Sequence, residues 1–376
     1  MPIGGAETLL MNLVRRMDQS RFAPEVVCLK EPGPLGEELA REFPLHSHYL
    51  HSKYDFRVLP RLVKLMRERK FGAVITVGAG DKMFWGRLAA RIAGVPVIGA
   101  ALHSTGWPDG VGKLNRLLTP ITDVFIGVAK SHGEFLVNFE RFPASKVAVI
   151  PNGVDTTRFA PLIDVMEFRQ SLGLGPTTPV VGILAALRPE KNHELFLRVA
   201  KRVLDKLPDA QFLIIGDGPR RGELSALAAE LGVAGSVKFL GSRSDVPELL
   251  ATLDVVALTS HNEANPVSIL EAMSVGKPVV ATNVGSVAES VREGGTGFLV
   301  AAGDETAFAE RVITLLHNPL LAKKYGAAAR RHVVEKASLE VMVGGYERLI
   351  AELYQRKTGQ KLPNSSPVFA DPMLVG

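Results

Sequence analysis

Residues 260–286 read SHNEANPVSILEAMSVGKPVVATNVGS, and the placement of two carboxylates in this stretch, Glu263 and Glu271, decides how the chain is read. The apolar run 254–258 just before it has the length and composition of a buried parallel strand, and Pro266 opens a segment with helical apolar spacing. Asn265 is placed to cap that helix, with Pro266 at its first position. Glu263 then sits in the loop at the carboxyl end of a strand, where open α/β sheets bind ligands, and Glu271 lies early in the helix near the same mouth. Carboxylates offset in this way can accept hydrogen bonds from two hydroxyl-bearing parts of one ligand, while the free N–H groups of a helix start face an anion. A sugar nucleotide has those parts. Taken alone, two glutamates at this spacing read as solvated surface charge.

Outward from this stretch, short apolar runs alternate with longer amphipathic ones along the whole chain. Strands are expected over 25–29, 73–77, 95–100, 124–128 and 147–150, then over 180–185, 211–215, 237–240, 254–258, 278–282 and 297–300. Such alternation implies parallel sheets covered on both faces. The break falls between Pro151 and Pro179, where Pro151-Asn152-Gly153, Ala160-Pro161 and Gly173-Leu174-Gly175-Pro176 supply turn chemistry. The expected architecture is α/β, two doubly wound Rossmann-like domains facing a cleft, residues 1–160 and 161–337. A helix over 338–356, with an apolar stripe of Leu339, Val343, Tyr346, Leu349, Ile350 and Leu353, is expected to rejoin the first domain. Residues 359–376, rich in proline and serine, are expected to form a flexible tail.

The flanking residues carry more than the glutamates. Residues 260–286 resemble the Glu-x7-Glu signature of the retaining glycosyltransferases of family four, which have the GT-B fold. The likeness continues through Gly276-Lys277-Pro278-Val279-Val280-Ala281-Thr282 and Gly285. Gly4-Gly5-Ala6-Glu7, Pro151-Asn152-Gly153-Val154-Asp155, Arg188-Pro189-Glu190-Lys191 and Gly216-Asp217-Gly218-Pro219 stand in the family's order, so the resemblance spans nearly the whole chain. It implies transfer of a hexose or related sugar from a nucleoside-diphosphate sugar to a hydroxyl acceptor, in glycan, glycolipid or polysaccharide synthesis. It also implies roles: Glu271 on the donor ribose, Glu263 on the sugar hydroxyls, with N–H groups from Ala264, Asn265, Pro266 and Val267 nearby. Lys191 and Arg188 would hold the diphosphate, and His103 with the Gly4-Gly5 loop would close from the first domain. A leaving diphosphate gains charge as its bond to the sugar breaks, which is why cations belong there. Retention without an evident carboxylate nucleophile implies front-side displacement.

Three departures from the pattern stand out. Many relatives place the arginine two residues earlier, where this chain has Ala186, and Gly285-Ser286 replaces a Gly-Gly pair whose serine can still offer its N–H. The family's first strand should precede the Gly-Gly loop, yet only Met1-Pro2-Ile3 do so here. The amino-terminal sheet is therefore expected to lack a central strand, and the reading frame to continue upstream of Met1.

Composition bounds the rest. The chain has 376 residues and net charge +5, which favours anionic ligands such as sugar nucleotides and anionic membrane surfaces. The basic stretch from Lys53 to Lys70 reads as an amphipathic helix with a solvated charged face, or as a surface lying on an anionic membrane. No nucleic-acid-binding motif is visible. Lone Cys28 suits a reducing compartment, and no run approaches the roughly 18 apolar residues of a membrane span. A cytoplasmic enzyme, peripheral on the membrane's inner face if its acceptor is lipid-linked, is the expectation. No Asp-x-Asp motif or His/Cys cluster calls for a metal, and no cofactor is expected. The competing reading is an NAD-dependent dehydrogenase, from Gly216-Asp217-Gly218 after a strand. Its third glycine comes one residue late, and Gly241-Ser242-Arg243 stands where an acidic ribose ligand belongs. No nucleophile elbow supports a hydrolase. A non-catalytic sugar-nucleotide-binding protein is the third reading.

Overall fold

The computed structural model describes residues 5–52, 55–78, 80–103, 116–162, 164–362 and 373–374. The chain divides into two units, Met1–Gly153 with Leu339–Gly376, and Val154–Ser338. In chain order the first unit holds α1 (Gly5–Arg16), β1 (Val26–Val27), α2 (Gly33–Leu39), β2 (Leu45–His46), α3 (Val58–Glu68) and β3 (Ala73–Val77). It continues with α4 (Asp81–Ala93), β4 (Val97–Ala101), β5 (Val124–Gly127), α5 (Lys130–Asn138) and β6 (Val147–Val149). The second unit runs α6 (Met166–Ser171), β7 (Val180–Leu184), α7 (His193–Leu204), β8 (Gln211–Ile215), α8 (Arg221–Glu230) and β9 (Val237–Gly241). Next come α9 (Val246–Thr252), β10 (Val255–Leu258), α10 (Val267–Ser274), β11 (Val279–Thr282), α11 (Val287–Ser290), β12 (Gly297–Val300), α12 (Glu305–His317) and α13 (Pro319–Lys336). Then α14 (Leu339–Thr358) and β13 (Met373–Leu374) return to the first unit.

The second unit is a six-stranded parallel sheet ordered β12-β11-β10-β7-β8-β9. Alternate side chains of a strand point to opposite faces, and here both faces are apolar. Val181, Ile183, Phe212, Ile214, Val255 and Ala257 pack with α7 and α12. Val180, Leu213, Ile215, Val256 and Leu258 pack with α9, α10 and α13. The boundary expected at 160 lies earlier, at Gly153/Val154. Tertiary bonds decide it: Val154 bridges Ser338, and Arg330 of α13 donates to the carbonyls of Thr156 at 2.8 Å and Phe159 at 2.9 Å.

In the first unit a sheet ordered β13-β6-β5-β4-β3 is parallel except for β13, which runs antiparallel to β6. The tail expected to be flexible thus supplies a strand, because Met373 and Leu374 cover the edge that β6 would otherwise leave open. β1 and β2 form a separate two-stranded parallel sheet. β3 bonds to β4 alone among the described residues, and a cleft of about 1040 Å³ is lined by residues of β1 and β3. α14 buries Leu339, Val343, Tyr346, Leu349 and Leu353 of the expected stripe and leaves Ile350 half-buried. α3 buries Val58, Leu62, Val63, Leu65 and Met66 on one face. Its basic residues have partners: Arg57 and Arg61 reach Asp55 at 2.8 and 3.3 Å, and Arg69 reaches Glu25 at 2.8 Å. Lys53 lies outside the described residues. Among those described, no helix is long and apolar enough to cross a membrane.

Candidate active site

The order of the second sheet fixes where a ligand belongs. From β7 the chain winds outward through β8 and β9, then crosses back to β10 on the other side of β7 and winds away through β11 and β12. The loops leaving β7 and β10 therefore part in opposite directions and open a crevice at the carboxyl ends of the two strands. Loop 185–192 after β7 carries Arg188 and Lys191, and loop 259–266 after β10 carries Glu263.

Backbone and side chains lock these loops together. The Lys191 carbonyl accepts from Thr259 Oγ1 at 3.0 Å, and the Glu190 carbonyl accepts from the His261 N–H at 2.9 Å. Lys191 Nζ meets Glu263 Oε1 at 2.6 Å, and Ser260 Oγ donates to the same oxygen at 2.6 Å. Glu263 is only 8% exposed, so this pair is largely withdrawn from water. The loop after β11 supports it from behind. Gly285 has φ +53°, and a Cβ there would lie 1.9 Å from the Glu263 carbonyl oxygen, so only glycine permits the approach. Ser286 donates its N–H to that carbonyl at 3.0 Å and its Oγ to the Ala264 carbonyl. The Ser286 N–H expected to be on offer to a ligand is therefore spent on the loop itself. From the β8 side, Gly218 lies so close to loop 185–192 that a Cβ would be 2.6 Å from the Leu187 carbonyl oxygen.

α10 begins at Val267 rather than Pro266. Pro266 is an extended N-cap with ψ 112° and no side-chain cap bond, so the Asn265 cap is not formed. Pro266 also has no N–H, which removes it from the donors expected between Ala264 and Val267. Glu271 is the fifth residue of α10 and half-buried. Loss of hydration pushes its carboxyl up from its ordinary 4.5 to about 7, with Arg158 the opposing cation. No side chain or backbone donor among the described residues bonds its carboxylate. Arg188 is exposed at the N-cap of the 3-10 turn Pro189–Lys191 and likewise has no side-chain partner among the described residues. That turn ends at Asn192, whose φ of +48° reverses the chain and whose side chain caps α7 by accepting from Leu195 N–H at 3.4 Å.

The second unit thus brings together Arg188, Lys191, Glu263 and the loop to Val267, with Glu271 on the helix that follows. His103, two residues past β4, and Gly5, which opens α1, belong to the first unit, and Gly4 lies outside the described residues. Sequence reading missed Ser260 and Arg158. The Ser-x-x-Glu spacing of Ser260 and Glu263 was the available signal for one; Arg158 gave none.

Two wound α/β units, with a cation–carboxylate pair at the switch point of the second, define a GT-B nucleotide-sugar enzyme. The chain belongs to glycosyltransferase family 4, the retaining GT-B glycosyltransferases: the model of "Glycosyltransferase Family 4" matches residues 3–158 and that of "Glycosyl transferases group 1" matches 164–332. A GDP-mannose-dependent monoacylated alpha-(1-6)-phosphatidylinositol monomannoside mannosyltransferase of Corynebacterium glutamicum is 30% identical over 90% of this chain and 92% of its own. An Escherichia coli galactosyltransferase that takes UDP-Gal and GlcNAc-diphosphoundecaprenol is 28% identical over 85% of this chain and 87% of its own. In structure the chain is similar to Anabaena HepE, solved with UDP and glucose, at a TM-score of 0.81 and 23% identity over 93% and 96% of the two chains.

Proposed function

We propose that the crevice of the second unit binds a uridine or guanosine diphosphate sugar, with the diphosphate on Lys191 and Arg188, the sugar on Glu263 and the ribose on Glu271. The Lys191–Glu263 pair carries the reading. A lysine ammonium has three donors, and one suffices for Glu263 Oε1, which leaves others for phosphate oxygens. Glu263 Oε1 already accepts two donors, so Oε2 is the oxygen left for a sugar hydroxyl. Exposed Arg188 adds charge where the leaving diphosphate develops it, and this arrangement neutralises the leaving group without a metal. Glu271, raised and unbonded, is a carboxyl waiting for hydroxyl donors. The departing phosphate would take the acceptor's proton as the new glycosidic bond forms on the same face.

The acceptor in this reading is a hydroxyl on a lipid-linked carrier, as the names of the Corynebacterium and Escherichia relatives describe for those enzymes. Exposed Arg57, Lys64 and Lys70 would meet the anionic membrane that holds it.

Calorimetry on two variants tests the division of roles. Glu271→Ala should weaken free UDP or GDP and the full sugar nucleotide alike, by about 1.5–3 kcal/mol for bonds to a charged acceptor. Glu263→Ala should spare the free nucleotide and cut turnover. Equal weakening of the free nucleotide by both variants would refute the assignment, and stabilisation by NAD alone would refute the donor class.

A further inference from the structure

Three segments of the second unit that lie far apart in sequence meet around Glu271: the turn 155–159, the loop after β9, and α10 itself. We infer, on the donor assignment proposed above, that Arg158 is a positioning residue of the donor site, holding Glu271 as the charged acceptor that the ribose hydroxyls need.

The turn that carries Arg158 is closed by its own bonds. Asp155 Oδ1 accepts from the N–H groups of Thr157 at 3.0 Å and Arg158 at 2.9 Å, and the Phe159 N–H donates to the Asp155 carbonyl at 2.9 Å. The Phe159 carbonyl then ties the turn to α10 by accepting from Ser274 Oγ at 2.7 Å. Ser274 stands three residues after Glu271, and residues three apart are neighbours on a helix. Arg330 of α13 locks the junction, donating to the Phe159 carbonyl at 2.9 Å and to Ser274 Oγ at 2.7 Å. Residue 158 is thereby carried to the turn of α10 that bears Glu271. On its other side Arg158 Nη2 donates to the Ser244 carbonyl at 3.3 Å, and its guanidinium lies 5.3 Å from the centre of the buried Phe159 ring.

Charge singles this residue out. The other charged groups on the elements around α10 have bonds of their own. Arg330 donates to the Ser274 carbonyl at 2.8 Å, Lys277 to the Ala251 carbonyl at 2.7 Å, Lys191 to Glu263, and Arg243 to Asp245 at 2.8 Å, while Asp254 accepts from the Val180 N–H at 2.8 Å. Arg158 gives Nη2 to a carbonyl, which leaves Nε and Nη1 without a partner among the described residues. It is also the cation that opposes the loss of hydration at the Glu271 carboxyl. An exposed guanidinium keeps its charge, whereas a carboxyl short of water needs a cation nearby to ionise. A carboxylate can accept from both ribose hydroxyls, while a protonated carboxyl gives up part of that capacity to its own O–H. With the Glu271 carboxyl at about 7, the neighbouring cation decides which form a donor meets at neutral pH.

The test uses the full chain. Carbon-13 glutamate labelling follows the Glu271 carboxyl, assigned by its loss in Glu271→Gln, and calorimetry follows UDP-glucose and GDP-mannose, whose diphosphates do not titrate near neutrality. Arg158→Gln should raise the Glu271 midpoint by about one pH unit, and Arg158→Lys should keep it near that of the parent. Arg158→Gln should bind the donor about fivefold more weakly than the parent at pH 7 and within about twofold of it at pH 9, where Glu271 is ionised in both. Weakening by the same factor at both pH values would overturn the proposal in favour of a direct or purely structural contact. An unmoved midpoint would overturn it whether or not a nucleotide binds. A midpoint that moves in a protein that binds neither sugar nucleotide would instead refute the donor assignment and the role built on it, and leave the coupling of Arg158 to Glu271 standing.

Discussion

Glu263 and Glu271 are both carboxylates of one loop–helix segment, yet their surroundings give them opposite characters. Lys191 and Ser260 both bond Glu263, while Glu271 loses hydration without gaining a donor. The second case has a pH signature. Because the folded Glu271 carboxyl titrates near 7 instead of its ordinary 4.5, the native state binds the extra proton between those values. Stability contributed by that proton is present at low pH and is lost as pH rises through 7. Glu271→Gln should therefore be more stable than the parent at pH 8, with the difference fading toward pH 5. Denaturant melts at the two pH values check this, and a difference that grows on acidification would contradict it. Both glutamates were legible in the sequence, since their positions depend only on a local strand–loop–helix reading. The raised pKa of Glu271 was not, because Arg158 and the layers that dehydrate Glu271 come from elsewhere in the chain.

At the scale of elements, loops rather than helices set the site's precision. Gly285 occupies a left-handed turn against the Glu263 carbonyl, and an added Cβ would have to displace backbone, not a movable side chain. Gly285→Ala should cost about 2–4 kcal/mol, the left-handed penalty plus the displaced loop, and should raise the KM for the donor. Thermal unfolding and donor kinetics measure both, and an unchanged KM would detach Gly285 from the site. The start of α10 differs from its sequence reading by one residue. Pro266 fits the first turn of a helix by propensity, yet its extended ψ puts it outside, and the Asn265 cap goes with it. Strand β2 went unread because Leu45-His46 has no run of its own and becomes a strand only by pairing with β1.

For the whole molecule, the two cores differ in completeness. The second unit is one unbroken segment, Val154–Ser338, with apolar layers on both sheet faces. Expressed alone, residues 154–338 should fold cooperatively and bind UDP or GDP, because the proposed donor contacts Arg188, Lys191, Glu263 and Glu271 all lie within it. A fragment that melts cooperatively but ignores both nucleotides would place essential donor contacts in the first unit. That unit is built from separated segments and depends on the stripe of α14. Ending the chain at Ser338 removes Leu339, Val343, Tyr346, Leu349 and Leu353 from its core and should leave it aggregation-prone.

Sequence by itself determined the alternation of strands and helices, the two-unit plan, the family and the carboxylates at the mouth. These rest on periodicity and short-range spacing, which neighbouring residues fix. The tertiary structure alone decided that Lys191 pairs with Glu263 across 72 positions, that Ser286 spends its N–H inside the loop, and that Val154 begins the second unit. It also decided that β1 pairs with β2 in a sheet of its own. Each of these depends on which strands become neighbours in a sheet, and strand order is set by long-range packing that local sequence does not encode.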